Sequence, residues 1–251
     1  MPSLTRRSLL VTAAASTGVV VAGCSSDASA NLDSVRSNGS PNLDLDPTAE
    51  RFLAQQIIPV LRDPSPDEAR ETALAWIAGG CTTIELTTST PGVFDVAREL
   101  TAQGIYVGIG TMRNAAHVEQ AADAGAKFVL SFATFPELVS TALSRGITPI
   151  PGTMTPTEVY DSLSAPIIKV FPAATVGIGY IEALQIVYPG LRMQVTGGIG
   201  ATPEDSADWL NAGATAVGVA GDVCGRVSID GVAAVSDRIS SYLAKVAAQT
   251  S

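Results

Sequence analysis

Positive charge and aromatic side chains are both scarce in this chain of 251 residues. The formal net charge is −9 at pH 7, which argues against a nucleic-acid partner and against an electrostatic hold on an anionic membrane surface. Aromatic residues make up 5% of the chain and hydrophobic residues 46%, so the core must consist mainly of Ala, Val, Ile and Leu. A core of this kind is typical of an α/β protein with buried parallel strands.

Cysteine and histidine are rare as well. Cys81 and Cys224 could form a disulfide in an oxidising compartment, but each adjoins an apolar, strand-like run. We therefore expect two buried and unreactive thiols. His117 is the only histidine, and it lies in a helical pattern where a surface position is expected. None of the chemistry predicted below requires it.

Residues 1–24 have the features of an export signal. Arg6 and Arg7 precede an apolar run of small residues that is shorter than a typical membrane-spanning helix. The paired arginines resemble a twin-arginine signal, and Val21-Ala22-Gly23-Cys24 resembles a bacterial lipobox. We expect Cys24 to be lipidated, which would anchor the protein at the cell envelope without a membrane span. The alternative is an unused leader or a wrongly assigned start codon, and a cytoplasmic protein.

The remainder of the chain divides into a predicted linker and one predicted domain. Residues 25–48 are rich in Ser, Asn, Asp, Gly and Pro and lack apolar periodicity, so we expect a flexible linker there. Residues 49–251 contain eight strand-like runs, each followed by a helical pattern: 57–61, 82–86, 105–110, 128–131, 148–150, 167–171, 192–196 and 216–219. This alternation predicts parallel strands closed into a (β/α)₈ TIM barrel. An open doubly wound sheet is the alternative, although no G-x-G-x-x-G pattern follows the first strand.

Lys169 is unusual because it lies inside an apolar, β-branched run that predicts a buried strand. An ammonium group on a buried face is costly unless it is paired. The side chain either reaches water from a strand end or is a buried nucleophile able to form a Schiff base. Glu85 lies in the apolar second strand and could face Lys169 across a barrel lumen. The two would form a buried ion pair or a catalytic lysine with a proton-transferring carboxylate, and their shared position favours catalysis.

Polar residues and glycines stand at the carboxyl ends of other predicted strands, where barrel enzymes carry their active sites. Arg62 follows the first strand and Thr111 the third. Thr196-Gly197-Gly198 follows the seventh strand and Gly221 the eighth. Backbone N–H groups in glycine turns of this kind, with the start of a following helix, can bind a phosphate group.

Six segments, in their order and spacing, resemble one enzyme family over about residues 57–246. They are IIPVLR (57–62), AGG with TIELT (78–80 and 83–87), GIGT (108–111), IPGTMTPTE (150–158), IKVFPA (168–173) and VTGGI (195–199). The family is that of the 2-keto-3-deoxy-6-phosphogluconate (KDPG) and 2-keto-3-deoxy-6-phosphogalactonate aldolases.

The resemblance implies a class I aldolase that cleaves or forms a 2-keto-3-deoxy sugar acid, with pyruvate and an aldehyde as the products of cleavage. It implies Lys169 as the Schiff-base residue and Glu85 as the general acid/base. Thr111, with Arg62 as a contributor, would hold the pyruvate carboxylate, and Gly197 and Gly198 would bind the distal phosphate. It also implies a homotrimer and no metal or organic cofactor.

Four positions depart from the family pattern, one of which is Ile178, where a proline is expected after Val176-Gly177. Ser89 stands where many members have an arginine that grips the carboxylate, and Phe132 replaces a proline near the pyruvate end. Gly221 replaces a serine of the phosphate turn. The carboxylate site and the phosphate site therefore each offer fewer contacts than is usual in the family. An exported enzyme would also rarely meet sugar phosphates. The need for a phosphorylated substrate therefore stays open.

Two other functions remain as alternatives. The same Schiff-base lysine could serve a 2-keto acid decarboxylase. The other hypothesis is a lipid-anchored, non-catalytic keto-acid-binding protein, but binding alone does not require both a buried amine and the carboxylate of Glu85. The sequence does not define the acceptor aldehyde or its stereochemistry.

Overall fold

The computed structural model describes residues 40–44 and 46–250, and within them every strand belongs to one parallel sheet. The strands are β1 (Ile57–Leu61), β2 (Thr83–Thr87), β3 (Tyr106–Met112), β4 (Phe128–Ser131), β5 (Thr148–Ile150), β6 (Gly152–Thr153), β7 (Ile168–Val170), β8 (Met193–Thr196) and β9 (Ala216–Ala220).

Helices alternate with these strands. They are α1 (Pro47–Gln55), α2 (Pro66–Ala78), α3 (Val93–Ala102), α4 (Ala115–Asp123), α5 (Pro136–Ser144), α6 (Pro156–Asp161), α7 (Ala173–Val176), α8 (Ile178–Val187), α9 (Pro203–Asn211), α10 (Gly221–Cys224), α11 (Val227–Asp230) and α12 (Val232–Ala247). Several starts follow from local sequence: Ser65, Asn114, Thr155 and Thr202 each accept a backbone N–H as the N-cap residue.

The predicted (β/α)₈ barrel is confirmed. The strand order is β5-β4-β3-β2-β1-β9-β8-β7-β6, and β5 and β6 are two parts of one barrel strand separated by Pro151. β5 pairs with β4 and β6 pairs with β7, so this interrupted strand closes the barrel. Proline has no N–H to give to a ladder, but the Pro151 carbonyl accepts the N–H of Lys169 at 2.8 Å.

Side chains alternate between the barrel lumen and the helix layer, as the period of a β-strand requires. On β2, Ile84 and Leu86 pack with the helices in the larger apolar core, which leaves Glu85 on the inner face. On β7, Ile168 and Val170 do the same and leave Lys169 inside. The barrel fold therefore places both charged residues in its lumen.

Helix α1 closes the amino-terminal end of the barrel. Its Phe52 packs edge-on against Phe128 of β4, with ring centroids 5.2 Å apart. Asp46 caps the helix by accepting from the backbone N–H of Thr48 at 2.7 Å, and Thr48 is fully buried. The predicted linker boundary at residue 48 is therefore wrong, because residues 46–48 belong to the folded domain. Residues 1–39, with the predicted signal, Cys24 and most of the predicted linker, lie outside the described residues.

The carboxyl-terminal half also differs from prediction in its short helices. The sequence pattern does not predict α7, α10 and α11, and the last helix begins at Val232 instead of Ile229. Gly177, Gly225 and Gly231, with φ of +78°, +84° and +79°, separate these helices from the next segment. A positive φ suits glycine and ends a helical run. One-turn helices that end in this way leave too short a pattern for periodicity to reveal.

The two cysteines of the barrel are buried, as predicted, and no disulfide joins them. Burial raises the pKa of the Cys81 thiol to about 12, which makes it unreactive. In the part of the chain that the structure describes, no helix is both long and apolar enough to cross a membrane.

Candidate active site

The lumen holds a buried pair of opposite charges. Lys169 Nζ on β7 lies 3.7 Å from Glu85 Oε1 on β2, and the side chains are 6% and 0% exposed. Neither carboxylate oxygen of Glu85 has a hydrogen-bond partner among the described residues. A buried carboxylate with this much unused accepting capacity is poised to take a proton or to hold water or substrate.

Gly110 on β3 leaves the space that the Glu85 carboxylate occupies. Gly110 is the register partner of Thr87, and a Cβ atom built on it would overlap Glu85 Oε1. Gly108 is the register partner of Glu85, and a Cβ atom built on it would overlap the ring of Phe128. Gly110 therefore allows the position of the Glu85 carboxylate, and Gly108 allows the position of the Phe128 ring.

We expect Gly110→Ala to displace the Glu85 carboxylate and to lower kcat by about two orders of magnitude, since misplacement by about 1 Å has an effect of that size. Overpacking should also lower the free energy of unfolding by about 1–3 kcal/mol. Steady-state kinetics and denaturant unfolding would measure the two effects. Gly179→Ala is the matched control: it should leave kcat unchanged and should not lower the free energy of unfolding, because Gly179 is exposed on α8, a Cβ atom there would meet open space, and alanine favours a helix. Full activity in Gly110→Ala would contradict this account of Glu85.

Three predicted residues come together on the β1–β3 side of the barrel mouth. Arg62 donates from Nη1 to Ser89 Oγ at 3.2 Å and from Nη2 to Thr111 Oγ1 at 3.3 Å. The guanidinium group therefore lies beside Ser89, the position at which the family pattern predicts an arginine. This arrangement presents a cation and two hydroxyl groups, which together suit a carboxylate.

Thr111 has a strained backbone at this place. Its φ is +62°, which is uncommon for a β-branched residue, and the β3–β4 register shifts between Ile109 and Met112. The Thr111 carbonyl accepts from Thr88 Oγ1 at 2.8 Å. Strain of this kind persists where surrounding contacts hold it and is frequent at functional sites. The sequence predicts Thr111 after the end of the third strand, but β3 continues through it to Met112.

Phe132 borders the mouth next to β4. It is 37% exposed, packs edge-on against Phe135 with centroids 5.6 Å apart, and has the Arg113 guanidinium carbon 5.4 Å from its ring centroid. The ring thus gives an apolar wall with a cation over it. Sequence reasoning did not single out Arg113, because it follows β3 in an exposed turn.

The glycine turns after β8 and β9 lie on the other side of the mouth. Gly197 and Gly198 have φ of +95° and +74°, and a Cβ on Gly197 would lie 2.9 Å from the Phe171 ring. Thr196 Oγ1 donates to the Gly218 carbonyl at 3.3 Å, which ties the ends of β8 and β9 together. The four predicted residues of this region, Thr196, Gly197, Gly198 and Gly221, therefore all follow or end the adjacent strands β8 and β9.

Arg226 brings positive charge close to Gly221. A Cβ on Gly221 would lie 3.2 Å from Arg226 Nε, and that nitrogen is 3.5 Å from Asp63 Oδ1. Asp63 is buried, and burial raises the pKa of its carboxyl, with Thr72 and Arg226 acting in the opposite direction. Sequence reasoning missed Arg226, because the one-turn helix α10, which the sequence pattern does not predict, brings it back to the turn after β9.

Comparisons with known proteins match the chain to one enzyme family. The profile of the family described as KDPG and KHG aldolase matches residues 49–234. The chain belongs to this aldolase family. It is 30% identical over 173 residues to the 2-dehydro-3-deoxy-6-phosphogalactonate aldolase of Escherichia coli (strain K12), over 66% of this chain and 83% of the relative. It is 32% identical over 153 residues to a probable aldolase of the same kind from Rhizobium meliloti (strain 1021), over 59% and 72%.

Solved structures of other aldolases of the family share the fold. A KDPG aldolase from Legionella pneumophila, with pyruvate captured at low pH as a covalent carbinolamine intermediate, has a TM-score of 0.70 and 25% identity, covering 80% of this chain and 98% of its own. A structure described as native KDPGal also has a TM-score of 0.70, with 27% identity over 77% and 95% of the two chains. The protein is thus an aldolase, a carbon–carbon lyase of the aldehyde-lyase class.

Gln194 is a further lumen residue of this aldolase that sequence reasoning missed. It is fully buried on β8, and neither its amide oxygen nor its amide nitrogen has a hydrogen-bond partner among the described residues. The signal was present, since Gln194 lies two residues before Thr196 and therefore on the same strand face. In residues 40–44 and 46–250, His, Cys, Asp and Glu side chains form no cluster of three that could hold a metal ion.

Proposed function

We propose that the protein is a class I aldolase that cleaves 2-keto-3-deoxy sugar acids to pyruvate and an aldehyde and catalyses the reverse condensation. The observation that carries the proposal is the buried Lys169 ammonium 3.7 Å from the buried Glu85 carboxylate, inside the barrel. An amine attacks a ketone to form an iminium ion, and a nearby carboxylate can transfer the protons that each step needs.

The reaction assigns a role to each member of the pair. Lys169 Nζ adds to the C2 ketone and water is lost, giving an iminium ion that withdraws electrons from C3. Glu85 accepts the proton of the C4 hydroxyl, the C3–C4 bond breaks, and the aldehyde leaves an enamine of pyruvate. Glu85 returns a proton to C3, and water hydrolyses the iminium ion to release pyruvate and the free lysine.

Borohydride reduction in the presence of pyruvate tests this proposal. We expect a stable adduct on Lys169, found by mass spectrometry of peptides. If the adduct forms, 2-keto acids release carbon dioxide, and no aldehyde is released from or condensed with pyruvate, the decarboxylase would be favoured. If the wild type forms no adduct and pyruvate binding persists in Lys169→Ala, the protein is a binding protein and the aldolase proposal is wrong.

The carboxylate of the keto acid binds, in this proposal, to Arg62 and Thr111 with Ser89 beside them. The two hydrogen bonds that Arg62 gives to Ser89 and Thr111 place its charge at that end of the mouth. Loss of a charged hydrogen bond at this exposed position should be worth about tenfold in affinity.

We expect Arg62→Ala to raise the KM for pyruvate in the condensation about tenfold, with a smaller change in kcat, because the carboxylate is bound in ground and transition states alike. Initial rates against pyruvate concentration would show this. Arg98→Ala is the matched control, since Arg98 pairs with Asp95 on the surface of α3. An unchanged pyruvate KM in Arg62→Ala would remove Arg62 from the carboxylate site.

At the distal end we propose that a terminal phosphate is accepted but not required. Gly221 offers a backbone N–H without a hydroxyl group, and Asp63 competes for the charge of Arg226. Gly197 and Gly198 supply further backbone N–H groups in this proposal. Comparison of kcat/KM for 2-keto-3-deoxy sugar acids with and without the phosphate tests it, and detectable turnover only of the phosphorylated acids would show that it is wrong.

We also propose that the protein is an exported, lipid-anchored homotrimer that needs no metal or organic cofactor. Export and lipidation at Cys24 rest on the sequence pattern, and the trimer on the family resemblance together with exposed Ile186 and Val187 of α8. A palmitate analogue should label the wild type and not Cys24→Ala, and unlabelled wild type in the cytosol would exclude the anchor.

Light scattering tests the oligomeric state, and a monomer mass would exclude the trimer. Loss of activity in the presence of a chelator would point to a metal.

A further inference from the structure

Gln194 lies in the lumen beside the reactive lysine. Gln194 and Lys169 are register partners on the adjacent strands β8 and β7, so both side chains leave the same face of the sheet about 5 Å apart. Lys169 is the candidate nucleophile, yet Gln194 does not contribute to the pair that it forms with Glu85. Gln194 is therefore a buried polar residue next to the reacting atoms that takes no part in iminium formation or in the proton transfers of Glu85.

The amide of Gln194 points toward the barrel mouth. Gln194 is aligned with Ala216 on β9, but a Cβ on Gly218, two residues nearer the mouth, would lie 3.0 Å from Gln194 Nε2. Glu85 leans in the same direction, because its carboxylate reaches the space beside Gly110. The amide and the carboxylate therefore both rise to the level at which substrate enters.

The same contact places the amide on the distal side of the site. The Cβ position of Gly218 that lies 3.0 Å from Gln194 Nε2 is also 3.0 Å from Thr196 Oγ1. Thr196 ends β8, immediately before Gly197 and Gly198. The carboxylate end, with Arg62 and Thr111, lies on the β1–β3 side instead. A substrate bound through C2 to Lys169 would extend its aldehyde-derived carbons past Gln194.

The hydrogen-bonding capacity of the amide indicates what it binds. Both of its polar atoms are buried without a hydrogen-bond partner among the described residues, and a buried amide left in this state is costly. It offers a donor and an acceptor without charge, which matches a hydroxyl group better than it matches a phosphate or a carboxylate. The polar partner that this amide needs can therefore come from a sugar acid.

We propose that Gln194 binds the C5 hydroxyl of the keto acid, the hydroxyl next to the carbon that becomes the aldehyde, and so makes the enzyme select hydroxylated aldehydes. The C4 oxygen is already served by Glu85, which leaves C5 as the next hydroxyl on the way to the glycine turns. The inference rests on the proposed aldolase function and adds the residue that recognises the part of the substrate that is released as the aldehyde.

The test uses the full-length protein and two acceptor aldehydes in condensation with pyruvate. Glyceraldehyde carries the hydroxyl that becomes O5, and 3-hydroxypropanal has the same chain length without it. We expect the wild type to prefer glyceraldehyde about tenfold or more in kcat/KM, the size of one hydrogen bond to a buried partner. Gln194→Met, of similar volume, should lower the rate with glyceraldehyde, leave that with 3-hydroxypropanal nearly unchanged, and reduce the preference to about twofold.

Exchange of the pyruvate methyl protons with deuterated water separates this role from a structural one. The exchange needs Lys169 and Glu85 but no aldehyde, so it should stay close to wild type in Gln194→Met and in the second variant Gln194→Leu. Thr83→Val is the matched control: Thr83 Oγ1 is also buried without a partner among the described residues, on β2 toward the closed end of the barrel, and its removal should keep the preference.

Four outcomes would overturn the inference. They are a wild type without the preference, a preference that survives in both Gln194 variants, a parallel loss of exchange and of both condensations in those variants, and a loss of preference in Thr83→Val. A wild type that fails to exchange pyruvate protons would instead show that the aldolase proposal itself is wrong, and the inference would fall with it.

Discussion

Replacing Lys169 by Met is expected to lower the rate of aldol cleavage by about four orders of magnitude or more, the scale of losing a covalent nucleophile. Met has a similar length and no amine, so no iminium ion can form and the electrons of the C3–C4 bond have no acceptor. Pyruvate-coupled rate assays measure the loss. Borohydride trapping with pyruvate should mark Lys169 in the wild type and leave the variant unmodified.

The same substitution should also change stability. Without the ammonium, the Glu85 carboxylate stays fully buried and loses the positive charge that faces it. Breaking one side of a buried ion pair costs about 3–5 kcal/mol, whereas replacing both partners is often nearly neutral. We therefore expect Lys169→Met to lower the free energy of unfolding and the double variant Lys169→Met/Glu85→Gln to recover most of the loss, as measured in urea.

Lys127→Met is the matched control, because Lys127 is an exposed lysine between α4 and β4. It should leave the rate of aldol cleavage unchanged and should alter the free energy of unfolding by no more than about 0.5 kcal/mol, as expected for a surface substitution. A pyruvate adduct in Lys169→Met that maps to Lys127 or Lys245 would show that the reactive amine had been misassigned.

Lys169 and Glu85 could be recognised from the sequence because a strand has a period of two. Apolar neighbours on both sides of a charged residue indicate that the charge faces away from the helix layer, and eight repeated units leave a closed lumen as the place where it can point. The pairing of opposite charges then followed from the barrel. The 3.7 Å separation did not, because it depends on how β2 and β7 face each other across the lumen.

Gln194 could not be predicted as a lumen residue, because its sequence context does not indicate burial. In Met193-Gln194-Val195-Thr196 a polar residue alternates with apolar ones, which is the ordinary pattern of a strand with one solvated face. Only closure of the barrel removes that face from water and leaves Gln194 fully buried. The sequence does not reveal the position of Arg226 either, since its approach to Gly221 depends on α10, a helix of four residues.

The linker boundary was misplaced because composition was weighed above local capping signals. Asp46 followed by Pro47 is a helix start, with a capping carboxylate and a proline at the first helical position. The polar segment before it is held by tertiary contacts that the sequence does not reveal. The Arg192 guanidinium donates to the carbonyls of Leu43 and Asp44 at 2.6 and 3.1 Å.

Glu85→Gln should produce a large loss with a different signature. The amide keeps the shape of the side chain but cannot accept a proton, and removal of a general acid/base lowers rates by about 10²–10⁴. Lys169 remains, so borohydride should still trap pyruvate on it, although more slowly. Exchange of the pyruvate methyl protons should fall in parallel with kcat, since Glu85 transfers protons both at the C4 hydroxyl and at C3.

This combination distinguishes proton transfer from support of the lysine. If Glu85 only paired with the Lys169 ammonium, its neutralisation would alter trapping and leave the ratio of exchange to trapping unchanged. Glu182→Gln, on the exposed face of α8, is the matched control and should alter neither. Wild-type exchange in Glu85→Gln would mean that another group protonates the enamine, and the lumen pair would then be a structural ion pair with a reactive amine.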